Sequence, residues 1–375
     1  MSKDSIPRLI FASSEQSADL LYATKFFVPD PFLFLQQGGK TTILLSDLEI
    51  DRGRKEAKVD GIIALSEVEG PLEKKLGRKP PLEQTIAGFL QKNRIRRALV
   101  PYDFPAGLAF ELARIGIKLT AVEGLFWPER EYKRSEEIKS IQLAVRITEI
   151  GLARGIEVLR AAEIKRGNRL VWGNKPLTSE VLRAEIDIAI LRAGGQPFNT
   201  IVAGGEQACD PHDRGSGPLK AESLIILDVF PRENNSGYFG DLTRTAVRGR
   251  ASEAQKKLWY TVREAQEFAL RGIKVGESGS ALQDKVSEFF AERGYPKEVR
   301  HGRWVGFFHG LGHGLGLDLH EQPRIARTQF RAGQVFTVEP GLYYPGIGGV
   351  RIEDDGVVTD QGFRLFSRFT KTLEV

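Results

Sequence analysis

Residues 307–321 read FFHGLGHGLGLDLHE, and they carry the strongest structural signal in this chain. The chain has 5 histidines in 375 residues, yet His309, His313 and His320 all fall in this stretch. Four glycines are interspersed among them: Gly310, Gly312, Gly314 and Gly316. Each glycine inside a helix costs about 1 kcal/mol relative to alanine, so a stable helix is not expected here.

An extended strand is the alternative for this segment, because successive side chains of a strand point to opposite faces. One face would carry His309, His313 and the leucines, and the other would carry the glycines, Asp318 and His320. Glycine on one face of a strand permits close approach of another backbone, a ligand or a metal. A lone histidine would suggest ordinary core packing, whereas three histidines so close together favour a functional site.

The composition restricts the class of protein. With 41% hydrophobic and 27% charged residues, the chain is expected to be globular. Its 375 residues exceed one ordinary core and predict two domains. The net charge of +5 is small, and no basic run interleaved with aromatics suggests a nucleic-acid partner. The basic segment PLEKKLGRKP (71–80) is expected to be a solvated loop or domain rim rather than a phosphate-binding patch.

Cysteine use and apolar runs limit the cellular context. Cys209 is the single cysteine, which excludes an intrachain disulfide and CxxC metal sites. No apolar run has the length of a signal peptide or of a membrane span. We therefore expect a cytoplasmic protein without a membrane partner.

The first third of the chain, residues 1–132, is predicted to be an α/β domain. Short apolar runs favour strands, and apolar residues three to four apart favour helices. The predicted strands are 8–13, 32–36, 41–46, 61–66, 97–101 and 117–122, and the predicted helices are 83–93 and 106–115. The charged stretch WPEREYKRSEE (127–137) is expected to contain the domain boundary.

Residues 133–375 are predicted to form an α+β domain that contains all the histidines. A long helical pattern begins at Ile138, after a start near Ser135, and runs past Leu159. Further helices are expected near 177–193, 252–271 and 278–293, followed by a strand-rich C-terminal part.

The segment HGLGHGLGLDLHE closely resembles the histidine-rich motif of the pita-bread metallopeptidases, which include Xaa-Pro aminopeptidases, prolidases and, more distantly, methionine aminopeptidases. Other motifs of that family follow the same order in this chain: LIILDVF (224–230), GDLTRT (240–245), FTVEPGLY (336–343) and GGVRIEDDGVVT (348–359). The resemblance implies a creatinase-like N-terminal α/β domain over 1–132 and a pita-bread catalytic domain over 133–375.

The resemblance also implies a centre of two divalent metal ions. Its ligands would be Asp228, Asp241, His313, Glu339 and Glu353, with Asp241 and Glu353 bridging the two ions. Four carboxylates in one pocket would repel each other unless protonated or neutralised, and two divalent cations balance their charge. This oxygen-rich ligand set with one imidazole best suits Mn²⁺, with Co²⁺, Fe²⁺ or Zn²⁺ as alternatives.

Further residues match positions of the family motifs that contact the substrate. His309 and His320 correspond to two substrate-side histidines, and Glu339 to a proton shuttle toward the leaving nitrogen. Arg351 would orient the site. His212, in ACDPHDRGSG (208–217), corresponds to another active-site histidine. His301 matches no motif and is expected to be structural or exposed.

The leading functional prediction is an Xaa-Pro aminopeptidase, whose substrate is a peptide with proline at the second position, and the expected assembly is a homodimer. The alternative is a prolidase that acts on dipeptides only. A catalytically inactive peptide-binding module is a third alternative. In that case we would expect some of the metal-ligand residues to be replaced, whereas all five are present here. A methionine aminopeptidase is less expected, because such enzymes lack an N-terminal domain of this type. A creatine amidinohydrolase is less expected still, because such enzymes work without metal, whereas all five ligand positions are intact here.

One departure from the family pattern bears on specificity. The family usually has Asp-x-Gly at the first aspartate, where this chain has Asp228-Val229-Phe230. The interval to Asp241 is also longer than in common members, and a longer hairpin tip costs little. We expect ligation to survive, while Phe230 could crowd the pocket and relax the preference for proline.

Overall fold

The computed structural model describes residues 6–375 and divides the chain into two compact units, Met1–Pro128 and Glu129–Val375. The division falls four residues before the end of the predicted first domain, within the charged stretch expected to contain the boundary. Arg130 and Lys133 therefore belong to the second unit. No helix within 6–375 combines the length and the apolar character that crossing a bilayer requires.

The first unit is an α/β structure, as predicted. Its strands form one mixed sheet in the order β4-β3-β2-β1-β5-β6, in which β1 lies antiparallel to β2 and parallel to β5. Successive residues of β1 enter different apolar clusters, Leu9 in one and Ile10 in the other. The elements are β1 Arg8–Ala12, α1 Ala18–Thr24, β2 Phe32–Gln37, β3 Lys40–Leu45, α2 Ile50–Glu56, β4 Gly61–Ala64, α3 Leu65–Leu76, α4 Leu82–Lys92, β5 Arg97–Val100, α5 Ala106–Arg114 and β6 Lys118–Ala121.

Two predictions for the first unit were wrong in detail. The predicted strand 61–66 ends at Ala64, because α3 starts at once and the Glu67 side chain accepts the Ala64 N–H at 3.1 Å. The basic segment 71–80 was expected to be a loop, yet residues 71–76 form the end of α3 despite Pro71. Its lysines are exposed, so the expectation that this segment is solvated was right.

The second unit begins with a helix of 27 residues, α6 Ser135–Ala161. Glu137 caps it by accepting the Arg134 N–H at 3.0 Å. The elements that follow are β7 Glu163–Lys165, β8 Arg169–Trp172, β9 Lys175–Pro176, α7 Ser179–Arg192, β10 Gly195–Gln196, β11 Ile201–Gly204, β12 Leu224–Val229, β13 Arg232–Glu233, β14 Leu242–Val247, α8 Glu253–Gly272 and α9 Gly279–Glu292.

The strand-rich C-terminal part contains β15 Glu298–Arg300, β16 Arg303–Val305, β17 His313–Gly314, β18 Glu321–Arg324, β19 Val335–Val338, β20 Gly341–Tyr344, β21 Gly348–Arg351, β22 Asp354–Thr359 and β23 Gly362–Leu365. Two sheets matter for the site: a three-stranded sheet β11-β12-β14 and a five-stranded sheet β18-β17-β19-β22-β23. Helices α8 and α9 contribute Leu258, Val262 and Phe290 to the apolar core that also takes in Phe336 and Val338 of β19.

The histidine-rich segment is not the continuous strand that the sequence analysis expected. Within residues 307–320 only His313 and Gly314 form a strand, and the residues on either side of them are bends and loops until β18 begins at Glu321. The predicted opposition of His313 and His320 on two faces was therefore wrong, since their rings lie edge to face with centroids 4.3 Å apart. Period-two alternation holds only while the chain stays extended, and this chain turns.

Close approach explains three of the four glycines in this segment. A Cβ on Gly312 would lie 1.9 Å from the Thr337 carbonyl oxygen, and one on Gly314 would lie 2.5 Å from that of Gln322. A Cβ on Gly316 would lie 2.5 Å from the Glu321 carboxylate. Gly310 has open space around it, so no packing reason for this glycine is visible.

Candidate metal centre

The two aspartates of the site are positioned by neighbouring strands of the three-stranded sheet. Asp228 is in β12 and pairs with Thr243 of β14, and Asp241 immediately precedes β14. Thr243 Oγ1 lies 2.8 Å from Asp228 Oδ1 and 2.6 Å from Glu353 Oε2. The turn-forming residues between the aspartates thus bring Asp228 and Asp241 to one end of the hairpin.

The register of the five-stranded sheet brings the two glutamates together. Glu339 directly follows β19, Glu353 directly precedes β22, and Val338 pairs with Asp354 in the antiparallel ladder. The two glutamates therefore lie at the same edge of adjacent strands. On the other side of β19, the backbone N–H of His313 donates to Thr337 Oγ1 at 3.1 Å.

His313 presents one ring nitrogen to the carboxylates. Its Nδ1 lies 3.1 Å from the Gly314 carbonyl oxygen, an acceptor that requires the proton to be on Nδ1. Nε2 is then a bare lone pair, 3.5 Å from Glu339 Oε1 and 3.8 Å from Asp241 Oδ2. Two acceptors facing each other without a proton between them are the arrangement that a cation stabilises.

A cavity of about 950 Å³ contains the predicted site residues. All of them line its wall: Asp228, Asp241, His313, Glu339 and Glu353 as predicted ligands, and His212, His309, His320 and Arg351 as predicted substrate or orienting groups. Phe230 lies on the same wall, as the departure from the family pattern suggested. His301 is exposed on the turn between β15 and β16, and Cys209 is buried, where its pKa is raised to about 12 by burial.

The residues present fit a divalent cation. Asp241, His313 and Glu353 each offer a ligand atom, these atoms lie within 4.8 Å of one another, and all three residues are buried. Asp241 Oδ1 has no hydrogen-bond partner within residues 6–375, although it is shielded from solvent. A buried carboxylate oxygen without a partner is costly, and a cation would remove that cost.

Electrostatics point the same way. Burial raises the pKa of Asp241 well above its usual value, and the nearby Glu353 carboxylate raises it further. Burial likewise raises the pKa of Glu353, with Glu339 adding to the effect, and raises that of Glu339 to about 7. These carboxylates cannot all ionise together without a counterion, so protons or cations must neutralise them.

Arg351 joins one predicted ligand to one predicted substrate-side histidine. Its Nη2 donates to Asp228 Oδ2 at 2.6 Å, and its Nη1 donates to the Tyr343 hydroxyl at 3.0 Å. That hydroxyl lies 2.9 Å from His309 Nε2, and His309 Nδ1 lies 2.9 Å from the Gly310 carbonyl oxygen. Tyr343 therefore donates to His309, and both ring nitrogens of His309 are engaged.

The other two histidines of the cavity differ from His309. Within residues 6–375, neither ring nitrogen of His212 or of His320 has a hydrogen-bond partner. Burial lowers the pKa of His320, and the charge of Arg324 adds to this shift. These two imidazoles are therefore the ones free to accept or donate a hydrogen bond to a ligand in the cavity.

Comparison with known proteins assigns this arrangement to a family. The family model that matches residues 139–360, more than half of the chain, is that of metallopeptidase family M24.

The chain belongs to metallopeptidase family M24.

Two relatives of this M24 chain are Xaa-Pro dipeptidases. The one from Pyrococcus furiosus is 34% identical over 249 residues, which cover 65% of this chain and 64% of the relative's own length. The one from Pyrococcus horikoshii is 29% identical over 343 residues, which cover 89% of this chain and 85% of the relative. The solved prolidase of Pyrococcus horikoshii superposes with a TM-score of 0.80 at 26% identity, over 98% of this chain and 95% of that one.

These similarities establish the pita-bread fold that the motif resemblance predicted. Membership of a metallopeptidase family implies divalent metal ions, and the cluster of Asp241, His313 and Glu353 is where this M24 chain could hold them. Glu339 lies next to that cluster, since its Oε1 is 3.5 Å from His313 Nε2. Asp228 also lines the cavity, and its carboxylate accepts hydrogen bonds from Arg351 and Thr243.

The sequence analysis missed a fifth carboxylate in this M24 site. Asp355 Oδ2 accepts the backbone N–H of Asp241 at 2.7 Å, and its Oδ1 is buried without a hydrogen-bond partner among residues 6–375. Burial raises the pKa of Asp355 well above its usual value. The available signal was period two, since Glu353 and Asp355 are alternate residues that point the same way along the start of β22.

Tyr343 was missed for a different reason. It pairs with Gly349 across the β20–β21 hairpin, and the turn of that hairpin brings its hydroxyl to Arg351. No motif spacing in the sequence indicates that contact.

Proposed function

We propose that this M24 chain is a divalent-metal exopeptidase that hydrolyses the bond preceding proline, and that Xaa-Pro dipeptides are its substrates. The observation that carries the proposal is the cluster of Asp241, His313 and Glu353 opening into a cavity of about 950 Å³. The sequence analysis placed an Xaa-Pro aminopeptidase first and the dipeptidase second. Two observations reverse that order.

The first observation is the nature of the relatives. Two proteins at 34% and 29% identity are Xaa-Pro dipeptidases, and the second alignment extends over 85% of the relative. The solved structure at 26% identity is a prolidase. These similarities support a dipeptidase more directly than an enzyme for longer peptides.

The second observation is a pair of arginine side chains in the cavity wall. Arg324 and Arg327 both line the cavity, and no carboxylate within residues 6–375 pairs with either. The charge of Arg324 reaches the site, because after burial it is the largest cause of the lowered pKa of His320, and it adds a smaller effect to burial and His320 in lowering the pKa of His313. A guanidinium suits the free carboxylate of a dipeptide. A longer peptide would place a neutral amide there.

We assign the metal ligands as the motifs imply: Asp228, Asp241, His313, Glu339 and Glu353, holding two ions. Mn²⁺ suits this oxygen-rich set best, with Co²⁺, Fe²⁺ or Zn²⁺ as alternatives. Bound divalent cations would supply Lewis acidity toward the scissile carbonyl and lower the pKa of a nucleophilic water.

The remaining roles belong to side chains of the chain itself. His320 and His212, whose ring nitrogens are free, would hydrogen-bond the peptide and the oxyanion that develops on its carbonyl. Glu339, with Oε2 4.0 Å from His309 Nδ1, would carry a proton toward the leaving proline nitrogen. Arg351 would orient Asp228 and, through Tyr343, His309.

The first unit would be the creatinase-like, non-catalytic domain, because all the predicted site residues lie in the second unit. The homodimer implied by the family resemblance is also a proposal. Light scattering would test it, with an expected mass of twice 41.7 kDa. A mass of 41.7 kDa would contradict it.

Peptide hydrolysis after metal exchange tests the proposed activity. The purified protein is chelated, reloaded with Mn²⁺ and assayed on Ala-Pro, Ala-Pro-Ala and Ala-Pro-amide. We expect cleavage of Ala-Pro alone, dependent on the added metal. Arg324→Met should raise KM for Ala-Pro, while Arg331→Met, a change at an arginine outside the cavity, should not.

Equal turnover of Ala-Pro and Ala-Pro-Ala would instead indicate the aminopeptidase. No hydrolysis of any of these peptides with Mn²⁺ or Co²⁺ would contradict the enzyme and favour the binding module.

A further inference from the structure

A buried ionic cluster lies behind the histidine-rich segment, outside the cavity wall. Glu321 Oε2 accepts from Arg130 Nη2 at 2.7 Å, and Oε1 accepts from Lys133 Nζ at 2.6 Å. The three side chains are at most 5% exposed. Arg130 also donates to Asp318 Oδ2 at 2.8 Å, so two cations meet two carboxylates.

The turn from Gly316 to Glu321 is built around the Glu321 carboxylate. Gly316 lies so close that a Cβ would be 2.5 Å from Oε1, and the Asp318 N–H donates to Oε2 at 3.3 Å. The Gly316 N–H donates to the Asp318 carbonyl oxygen at 3.1 Å. The carboxylate therefore fixes the path of the backbone that leads to His320.

His320 depends on that backbone for its position. Within residues 6–375 its imidazole has no hydrogen bond, and its described ring contact is the edge-to-face packing on His313. Without polar partners, the position of the imidazole is set mainly by the position of its own backbone. That backbone is adjacent to Glu321, the next residue in the chain.

We propose that Glu321, clamped by Arg130 and Lys133, is a positioning residue that holds His320 at the cavity wall. The proposal rests on the proposed function for the role of His320 in hydrolysis. Arg130 and Lys133 precede α6, and they lie 191 and 188 residues from Glu321 in sequence. The start of this unit is thereby coupled to the loop that touches the substrate.

An ionic clamp suits positioning better than simple stabilisation. Buried ion pairs contribute little net stability compared with well-packed apolar residues of similar volume, but they require one geometry. Removal of one partner leaves an uncompensated buried charge. Glu321→Gln alone would therefore confound positioning with loss of folding.

A charge-balanced double variant, Lys133→Met with Glu321→Met, separates the two effects. It removes one cation and one carboxylate, keeps the volume, and leaves Arg130 paired with Asp318. We expect its melting temperature to stay near that of the wild type. The kcat/KM for Ala-Pro should fall about 100-fold, because a displacement of about 1 Å costs that much. The loss should appear in kcat, while Mn²⁺ affinity by calorimetry stays unchanged.

A spectroscopic signal reports His320 directly and needs no activity. The chain has 5 histidines, so the Cε1–Hε1 correlations of histidine-labelled, metal-free protein form a small set. His320→Asn assigns the signal of His320. In the double variant this signal should shift while that of exposed His301 does not. Asp318→Asn, at a half-exposed partner, should shift it less and in the same direction.

The matched control is Glu185→Gln, which breaks the Arg154–Glu185 ion pair between α6 and α7. It should change neither the His320 signal nor kcat/KM. The proposal is overturned if the double variant folds with an unshifted His320 signal and keeps kcat/KM within about twofold of the wild type. If the wild type proves inactive on Xaa-Pro peptides, the His320 signal still tests whether Glu321 positions His320.

Discussion

His313 Nε2 presents its lone pair to Glu339 Oε1 at 3.5 Å, because the proton of the neutral ring lies on Nδ1 and is donated to the Gly314 carbonyl oxygen. The imidazole is preorganised as a ligand. Burial lowers the pKa of His313 to about 3, so the ring stays neutral over the physiological range. A neutral imidazole with a fixed tautomer is the form that binds a metal.

Removal of this imidazole should therefore abolish tight metal binding. Changes to groups that only orient a ligand cost about 10–100-fold in affinity, so His313→Ala should cost more than about 100-fold for Mn²⁺. His301→Ala, on an exposed turn, is the matched control and should bind as the wild type does. Titration calorimetry of chelated protein measures both. Equal affinities would exclude His313 from the centre.

The buried Glu339 carboxyl should stabilise the metal-free protein at low pH and lose this effect as pH rises. Burial raises the pKa of Glu339 from 4.5 to about 7, so between these values the folded state holds a proton that the unfolded chain has released. This stabilisation is complete below pH 4.5 and is lost as pH rises through about 7, by about 3 kcal/mol from Glu339 alone. Asp241 and Glu353, whose pKa values are also raised by burial, add to this loss.

Thermal melts of chelated protein at pH 5 and pH 8 check this prediction. His309 and His313, whose pKa values are lowered to about 3 by burial, act in the opposite sense below about pH 6.5, so each melt is compared with that of Glu339→Gln. The melting temperature of the wild type relative to this variant should be lower at pH 8 than at pH 5. Added Mn²⁺ should restore it, because cations replace the protons. A difference between the wild type and Glu339→Gln that is the same at pH 5 and pH 8 would contradict the carboxylate account.

Loss of the Tyr343 hydroxyl should impair turnover more than metal binding. Tyr343→Phe leaves Arg351 Nη1 and His309 Nε2 without their shared partner. We expect kcat to fall about 10–100-fold, the range for groups that orient a site. Tyr344→Phe is the matched control, since the Tyr344 hydroxyl bonds the Pro296 carbonyl oxygen outside the cavity. Steady-state kinetics with metal analysis would separate the two. Equal kcat values would remove Tyr343 from the network.

Gly312 and Gly310 of the histidine-rich segment provide a matched pair of substitutions that tests how closely this segment packs. Gly312→Ala places a Cβ 1.9 Å from the Thr337 carbonyl oxygen and should destabilise the fold by about 3 kcal/mol or more. Gly310→Ala enters open space and should change stability by about 0.5 kcal/mol or less. Urea unfolding measures both. Similar losses for the two variants would contradict the close approach of β17 and β19.

The grouping of these residues around one cavity could be predicted from the sequence because they lie within short motifs, and the motifs occur in one order. Contacts between motifs could not be read in this way. Asp355 meets Asp241 only through the register of two sheets, and Tyr343 meets Arg351 across a hairpin. Strand register depends on packing of both faces, which one segment alone does not encode.

Predictions from local residue spacing were wrong where the chain departs from a regular strand or helix period. Glycine lets residues 309–321 turn, so His320 comes to pack on His313 instead of pointing away from it. In the first unit, α2 contains Gly53, whose small size lets Leu45 pack against the helix. Pro71 lies inside α3. Both residues weaken the helical signal, although tertiary packing keeps the helices.

Anomalous diffraction from crystals grown with Mn²⁺ tests the central claim most directly. The account predicts two manganese peaks in the cavity, with Asp241 and Glu353 contacting both, and His313, Glu339 and Asp228 completing the coordination. Crystals that diffract well and show no manganese between Asp241 and Glu353 would contradict it.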